Sequence, residues 1–231
     1  MGTRAQAIDV ARGTALVAMI AYHACWFATD AELVALDLRA VGWHLFQRSI
    51  AASFFLLVGV SLALARPTGA RAAARIARIA ACALLVTATS VVLDPQRVVT
   101  FGILHNIAVS SLLALPLLRL GAWNVLLGAV LVVLGTVVSL PSRPLLDWTG
   151  LGEAPAPAFD FQPLLPWLGV VLWGTVVGKA LIGPSGEQLL AWHSESGAAR
   201  GLAFLGRHSL LVYMVHVPVL FGITAILARR S

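Results

Sequence analysis

Charge is scarce in this chain. Only 11% of its 231 residues are Asp, Glu, Lys or Arg, where a soluble domain carries about a quarter. Cysteine is almost absent too. Cys25 and Cys82 both lie inside apolar runs, which argues against a disulfide framework and for small buried side chains. No HExxH, CxxC or clustered His/Asp pattern occurs, so no metal site is expected. Neither a GxSxG elbow nor a phosphate-binding glycine loop is present. The net charge of +6 comes without base-stacking aromatics or basic stripes, so no nucleic acid partner is expected and membrane topology explains the excess. No internal repeat supports an inverted-repeat transporter. The first apolar run opens on Asp9 and Arg12 instead of a clean hydrophobic stretch, and a cleavable signal peptide is not expected.

What the chain has is hydrophobic length: 59% of its residues are apolar. A spanning helix needs about 20 mainly apolar residues, and seven segments qualify, roughly 7–28, 46–65, 74–93, 98–118, 122–140, 163–183 and 207–228. The expectation is an all-α, polytopic transmembrane bundle forming a single integral-membrane domain over 1–231. The fifth segment carries no charge and faces lipid. The Gly-rich fifth and sixth allow close helix approach.

The Lys/Arg bias of short loops sets orientation. The loop between the second and third segments, with Arg66, Arg71, Arg75 and Arg78, argues for a cytoplasmic N-terminus. Arg4, Arg119, Lys179, Arg200 and Arg207 then share that side, and Arg39, Arg48, Arg97 and Arg143 lie outside. Arg229-Arg230 argues the other way. The outer loop 141–162, with Pro141, Pro144, Pro155 and Pro157, has the length of a lid or a tether. The loop 184–206 reads as polar and flexible.

Against this apolar background the ionisable residues stand out, because charges at membrane depth usually face a bundle interior or a cavity. Asp9 and Arg12 are three apart, neighbours on one helical face. His23 follows Arg12 by eleven residues, nearly the same stripe about 16 Å further on. His23 also fits an interfacial aromatic belt with Tyr22 and Trp26. His105, in Phe101-Gly102-Ile103-Leu104-His105-Asn106, reads as about two turns into the fourth span. There it serves as a base, a relay or a hydrogen-bonded structural group. His44 begins the second span. Asp160 precedes Phe161-Gln162-Pro163-Leu164-Leu165-Pro166-Trp167 and either caps that helix or touches substrate. The last span opens on Leu205-Gly206-Arg207-His208. His216 precedes Pro218, whose freed carbonyls offer it a structural partner. Arg207 can snorkel or hold phosphate.

These residues carry a resemblance. Ile8-Asp9-x-x-Arg12-Gly13 with Tyr22-His23, then Phe54-Phe55-Leu56-Leu57-Val58-Gly59, resembles the opening of the heparan-alpha-glucosaminide N-acetyltransferase catalytic-domain family. Phe101–His105, Pro163–Gly169 and Leu205–Leu210 with Tyr213 and His216 continue it in family order. The Arg12-x10-His23 spacing is similar to the arginine–histidine motif of the wider membrane acyltransferase superfamily.

The resemblance implies a membrane-embedded enzyme that takes an acetyl group from cytoplasmic acetyl-CoA. The group passes to a sugar amine or hydroxyl on the other side of a bilayer, here of bacterial cytoplasmic type. His23 is the favoured base or acyl carrier, and His44 is its rival as the loop histidine between the first two spans. His105 and Asn106 would orient the base or hold an oxyanion. Asp9, Arg12, Arg207 and His208 would bind the donor, and Asn106, Asp160 and Trp167 the acceptor. A homodimer is an admissible assembly. Two other classes fit the same polar residues: a proton-coupled transporter and a non-catalytic membrane component.

Overall fold

The computed structural model of the chain describes residues 5–153 and 160–229. Arg4, Arg230, Pro155 and Pro157 lie outside them. Among the described residues there are ten α-helices: α1 (Gln6–Asp30), α2 (Val41–Ala65), α3 (Gly69–Leu93), α4 (Ile103–Leu117), α5 (Asn124–Val137), α6 (Pro144–Asp147), α7 (Leu164–Leu181), α8 (Pro184–Ala191), α9 (Gly197–Arg207) and α10 (Ser209–Ala228). The architecture is an all-α membrane helix bundle. Six continuous helical runs are long and apolar enough to cross a bilayer, and the fourth covers Ile103–Val137.

That fourth run is the fourth and fifth expected segments joined by a 3-10 turn, Leu118–Trp123. It is not one rod. Asn106 Nδ2 donates to the carbonyls of Gln162 and Pro163 at the start of α7, and Lys179 near the end of α7 donates to the Leu118 carbonyl. So α4 runs alongside α7 in the same direction. Asn124 meets Thr175 at 3.0 Å, Gly128 lies against Gly169 and Trp173, and Gly135 against Leu165, so α5 runs the opposite way. The chain reverses at Gly121, whose φ of 62° is a left-handed value that glycine adopts without a Cβ penalty.

The chain divides into two compact units, Met1–Phe54 with Glu187–Ser231, and Phe55–Gly186. In the second unit Gly59 and Gly174 bring α2 and α7 into backbone contact: a Cβ at either would collide with a carbonyl of the other helix. Leu164, Leu165 and Leu168 form one core cluster of this unit, with Val109, Leu131 and Leu151 against them. Phe55, fully buried, stacks on Trp167 at 5.1 Å.

In the first unit α1 buries Ile8, Ala15, Leu16, Met19 and Phe27. α9 crosses it closely because both contact points are glycines. A side chain at Gly13 would strike the Leu202 carbonyl, and one at Gly206 the Asp9 carbonyl. The expectation of a flexible polar loop over 184–206 is therefore corrected: it holds α8 and α9. α10 runs parallel to α1, since His23 pairs with His216 and Phe27 with Phe221. The reversal at Gly121 divides the fourth of the six long runs into two antiparallel helices, α4 and α5.

Most of the remaining apolar surface is bare. Leu84, Val92, Val125, Leu126, Val133, Val137 and Leu211 are all about half exposed or more, as lipid-facing positions are. The boundaries move modestly. Residues 98–102, expected in the fourth span, are irregular chain ahead of α4: Val99 N donates to Ser90 Oγ, and Thr87 Oγ1 donates to the Val99 carbonyl. Just before them, Arg97 donates a 2.7 Å hydrogen bond to Asp94, which holds that carboxyl below its usual range.

Candidate functional site

α1 carries the polar line. Near its N-terminus Asp9 is only 2% exposed, too deep for an unpaired carboxylate. Arg12 Nη1 donates to it at 3.0 Å, one turn along the same face, and approaches the Gly206 carbonyl of α9 at 3.4 Å. The missing side chain at Gly206 is what lets α9 come that close. Arg207 and His208 follow directly, both exposed at the break between α9 and α10. Asp9, Arg12, Arg207 and His208 are thus brought together at one end of the first unit.

About 16 Å further along α1 stands His23, half-buried. Its ring is held by a chain of hydrogen bonds whose direction can be worked out. His216 Nδ1 lies 2.6 Å from the Tyr213 carbonyl. A carbonyl only accepts, so Nδ1 of His216 carries the proton, and in the neutral ring its Nε2 accepts. That Nε2 lies 3.0 Å from His23 Nδ1, which must then be the donor. His23 is left with a lone pair on Nε2, and no described residue bonds it. Tyr22 sits edge-on to the ring at 5.6 Å, and Trp43 and Phe46 lie about 6 Å beyond Tyr22. The site therefore has one fixed, directed basic nitrogen next to an aromatic wall.

Sequence reasoning gave His216 a structural role beside Pro218. The structure keeps a carbonyl partner, Tyr213, and adds His23. The signal available was only a histidine mid-way along an otherwise apolar span. Which helix it meets depends on α10 running parallel to α1, a tertiary fact.

The second unit holds the other candidates, and they are engaged differently. His105 lies in the first turn of α4, not two turns in. Its Nδ1 accepts from the Gly102 backbone N–H at 3.2 Å. Its Nε2 lies 3.2 Å from Thr87 Oγ1, whose own proton goes to Val99, so Nε2–H donates. Both ring nitrogens are satisfied within the fold. Asn106 is fully buried, with both amide hydrogens on Gln162 and Pro163 and its oxygen accepting from Ser110. That leaves it no donor for an oxyanion. Asp160 accepts from the Ile103 backbone N–H at 2.9 Å. It caps α4, not the helix that follows it in sequence. Trp167 packs on Phe55. His44 is exposed on α2, where no described side chain bonds its ring.

Against known proteins, the model of one family, heparan-alpha-glucosaminide N-acetyltransferase, catalytic, matches residues 4–218. The chain belongs to this family. The N-acetyltransferase match takes in every residue of the α1 line and reaches past His216. No curated protein and no solved structure matches. Membership in an acetyltransferase family, together with the long apolar helices, makes this member an integral membrane protein of an acetyl-transferring kind.

Proposed function

We propose that the protein transfers an acetyl group from acetyl-CoA, bound from the cytoplasm, to an amine or hydroxyl of a sugar on the opposite side of the membrane. The observation that carries this reading is the state of His23: oriented through Nδ1 by His216, open at Nε2, and on the same helix as the Arg12–Asp9 pair. A guanidinium at the inner end suits the phosphates of the donor. The pantetheine arm then follows α1 outward, and its thioester arrives at His23. The arginine-rich loop 66–78 supports a cytoplasmic N-terminus for that direction.

In the transfer, Nε2 of His23 takes a proton from the acceptor as its nitrogen or oxygen attacks the thioester carbonyl carbon. The new C–N or C–O bond forms, the C–S bond breaks, and the coenzyme thiolate takes the proton back from His23. Asp9 holds Arg12 in place. His105, Asn106 and Asp160 act as positioning groups that fix the starts of α4 and α7. Among the described residues His44 has no partner that would orient it as a base, which favours His23 over it.

The test is incubation of the purified protein with labelled acetyl-CoA and a panel of amino sugars. Labelled acetyl-sugar is expected. A His23→Ala variant should lose transfer by roughly a hundredfold or more while melting as the wild type does. Retained transfer in that variant overturns the assignment.

A further inference from the structure

α9 uses one side on α1 and leaves another bare. Ala199, Ala203 and Gly206 are buried. Arg200 and Phe204, four apart, form a different stripe, extended by Arg207 and His208 one turn on. All four are exposed, Phe204 at 55%. The Phe204 and His208 rings lie 4.6 Å apart at 50°, and an arginine stands on each side of Phe204. Among the described residues neither guanidinium has a hydrogen-bond or ion-pair partner. Next to Arg207 in the chain but on the buried side, Gly206 turns its carbonyl toward Arg12, the inner end of the line to His23.

An exposed aromatic pair between two unpaired guanidinia matches a ligand with a flat π-face and more than one phosphate. We propose that this stripe is the docking site for the nucleotide end of the acyl donor. The adenine stacks on Phe204 beside His208, and Arg200 and Arg207 take the phosphates. The inference rests on the acyl-CoA reading above and names the part of the donor that α9 recognises. The charge is complementary, since a chain of net +6 meets a polyanion. The position is continuous with Arg12, so a donor seated here points its arm along α1. An anionic lipid headgroup would satisfy the arginines and leave the ring faces unread.

The experiment is calorimetric binding of coenzyme A, its 3′-dephospho form and pantetheine to the full chain in nanodiscs of zwitterionic lipid. Phe204→Leu is expected to weaken coenzyme A roughly tenfold, the usual size of a base–aromatic stack, and Phe204→Trp to keep it. Arg200→Gln or Arg207→Gln should weaken coenzyme A more than the dephospho form. Pantetheine should be indifferent to all of these variants. Wild-type coenzyme A affinity in Phe204→Leu overturns the proposal. So does loss of binding to phosphatidylglycerol vesicles with coenzyme A affinity intact, which would make the stripe a lipid surface. Wild-type protein that binds coenzyme A through Phe204 but never transfers acetyl upholds this site and rejects the transfer reaction. Transfer with unaltered coenzyme A affinity in every variant does the reverse.

Discussion

His216 carries no charge in the arrangement described, yet it decides what His23 can do. Its Nδ1–H is given to the Tyr213 carbonyl, so its Nε2 can only accept from neutral His23. Replacing it with alanine frees the His23 ring to rotate and to exchange tautomers. A His216→Ala variant is expected to lower kcat by roughly a hundredfold and leave the donor KM near its wild-type value. His216→Gln, which keeps an acceptor oxygen, should recover part of the loss. Steady-state kinetics of the two variants check this, since a purely structural role would not separate them. At this scale the sequence exposed Asp9, Arg12 and His23, because ionisable groups in an apolar run are visible without coordinates. For His105 and Asn106 it could not choose between a chemical and a structural part. A polar side chain that captures backbone groups across a bundle looks, in one dimension, like one that faces a substrate.

Among the elements, α9 was the least legible. Its buried side is Ala199, Ala203 and Gly206, small residues that give no large hydrophobic signal, so 184–206 reads as loop. The packing that makes it a helix is backbone-to-backbone contact with α1. That contact makes the element sensitive to one added side chain. Gly206→Val should push α9 off α1 and break the approach of Arg12 to the Gly206 carbonyl. A melting temperature lowered by several degrees is expected, since overpacking costs about 1–3 kcal/mol, along with weaker coenzyme A binding. Thermal unfolding with and without coenzyme A measures both. By contrast α2, α3 and α10 were legible as spans, because long apolar runs admit no other reading, although α2 and α3 begin several residues before the expected bounds, on turns that carry or adjoin arginines. The α4–α5 reversal was also legible as two segments, although the helical run across Gly121 is continuous enough to be counted once.

At the largest scale, the parallel pairing of α1 with α10 puts the start of the one and the end of the other at opposite ends of the first unit. Reporter cysteines near residue 5 and at Arg229 should label from opposite sides of sealed vesicles. Labelling of both from one side would contradict that pairing. The spans themselves are unequal. α5 has 14 residues and rises about 21 Å, well short of the ~30 Å of a hydrocarbon core, while its outer face of Val125, Leu126, Val133 and Val137 is apolar and bare. A segment this short is expected to draw acyl chains beside it into shortening or splaying to cover that face, a local pinch in the sheet of lipid. Swapping the surrounding lipid for a longer-tailed one would load that pinch directly. The short hairpin makes the tail length of its neighbours a variable in the protein's own energetics.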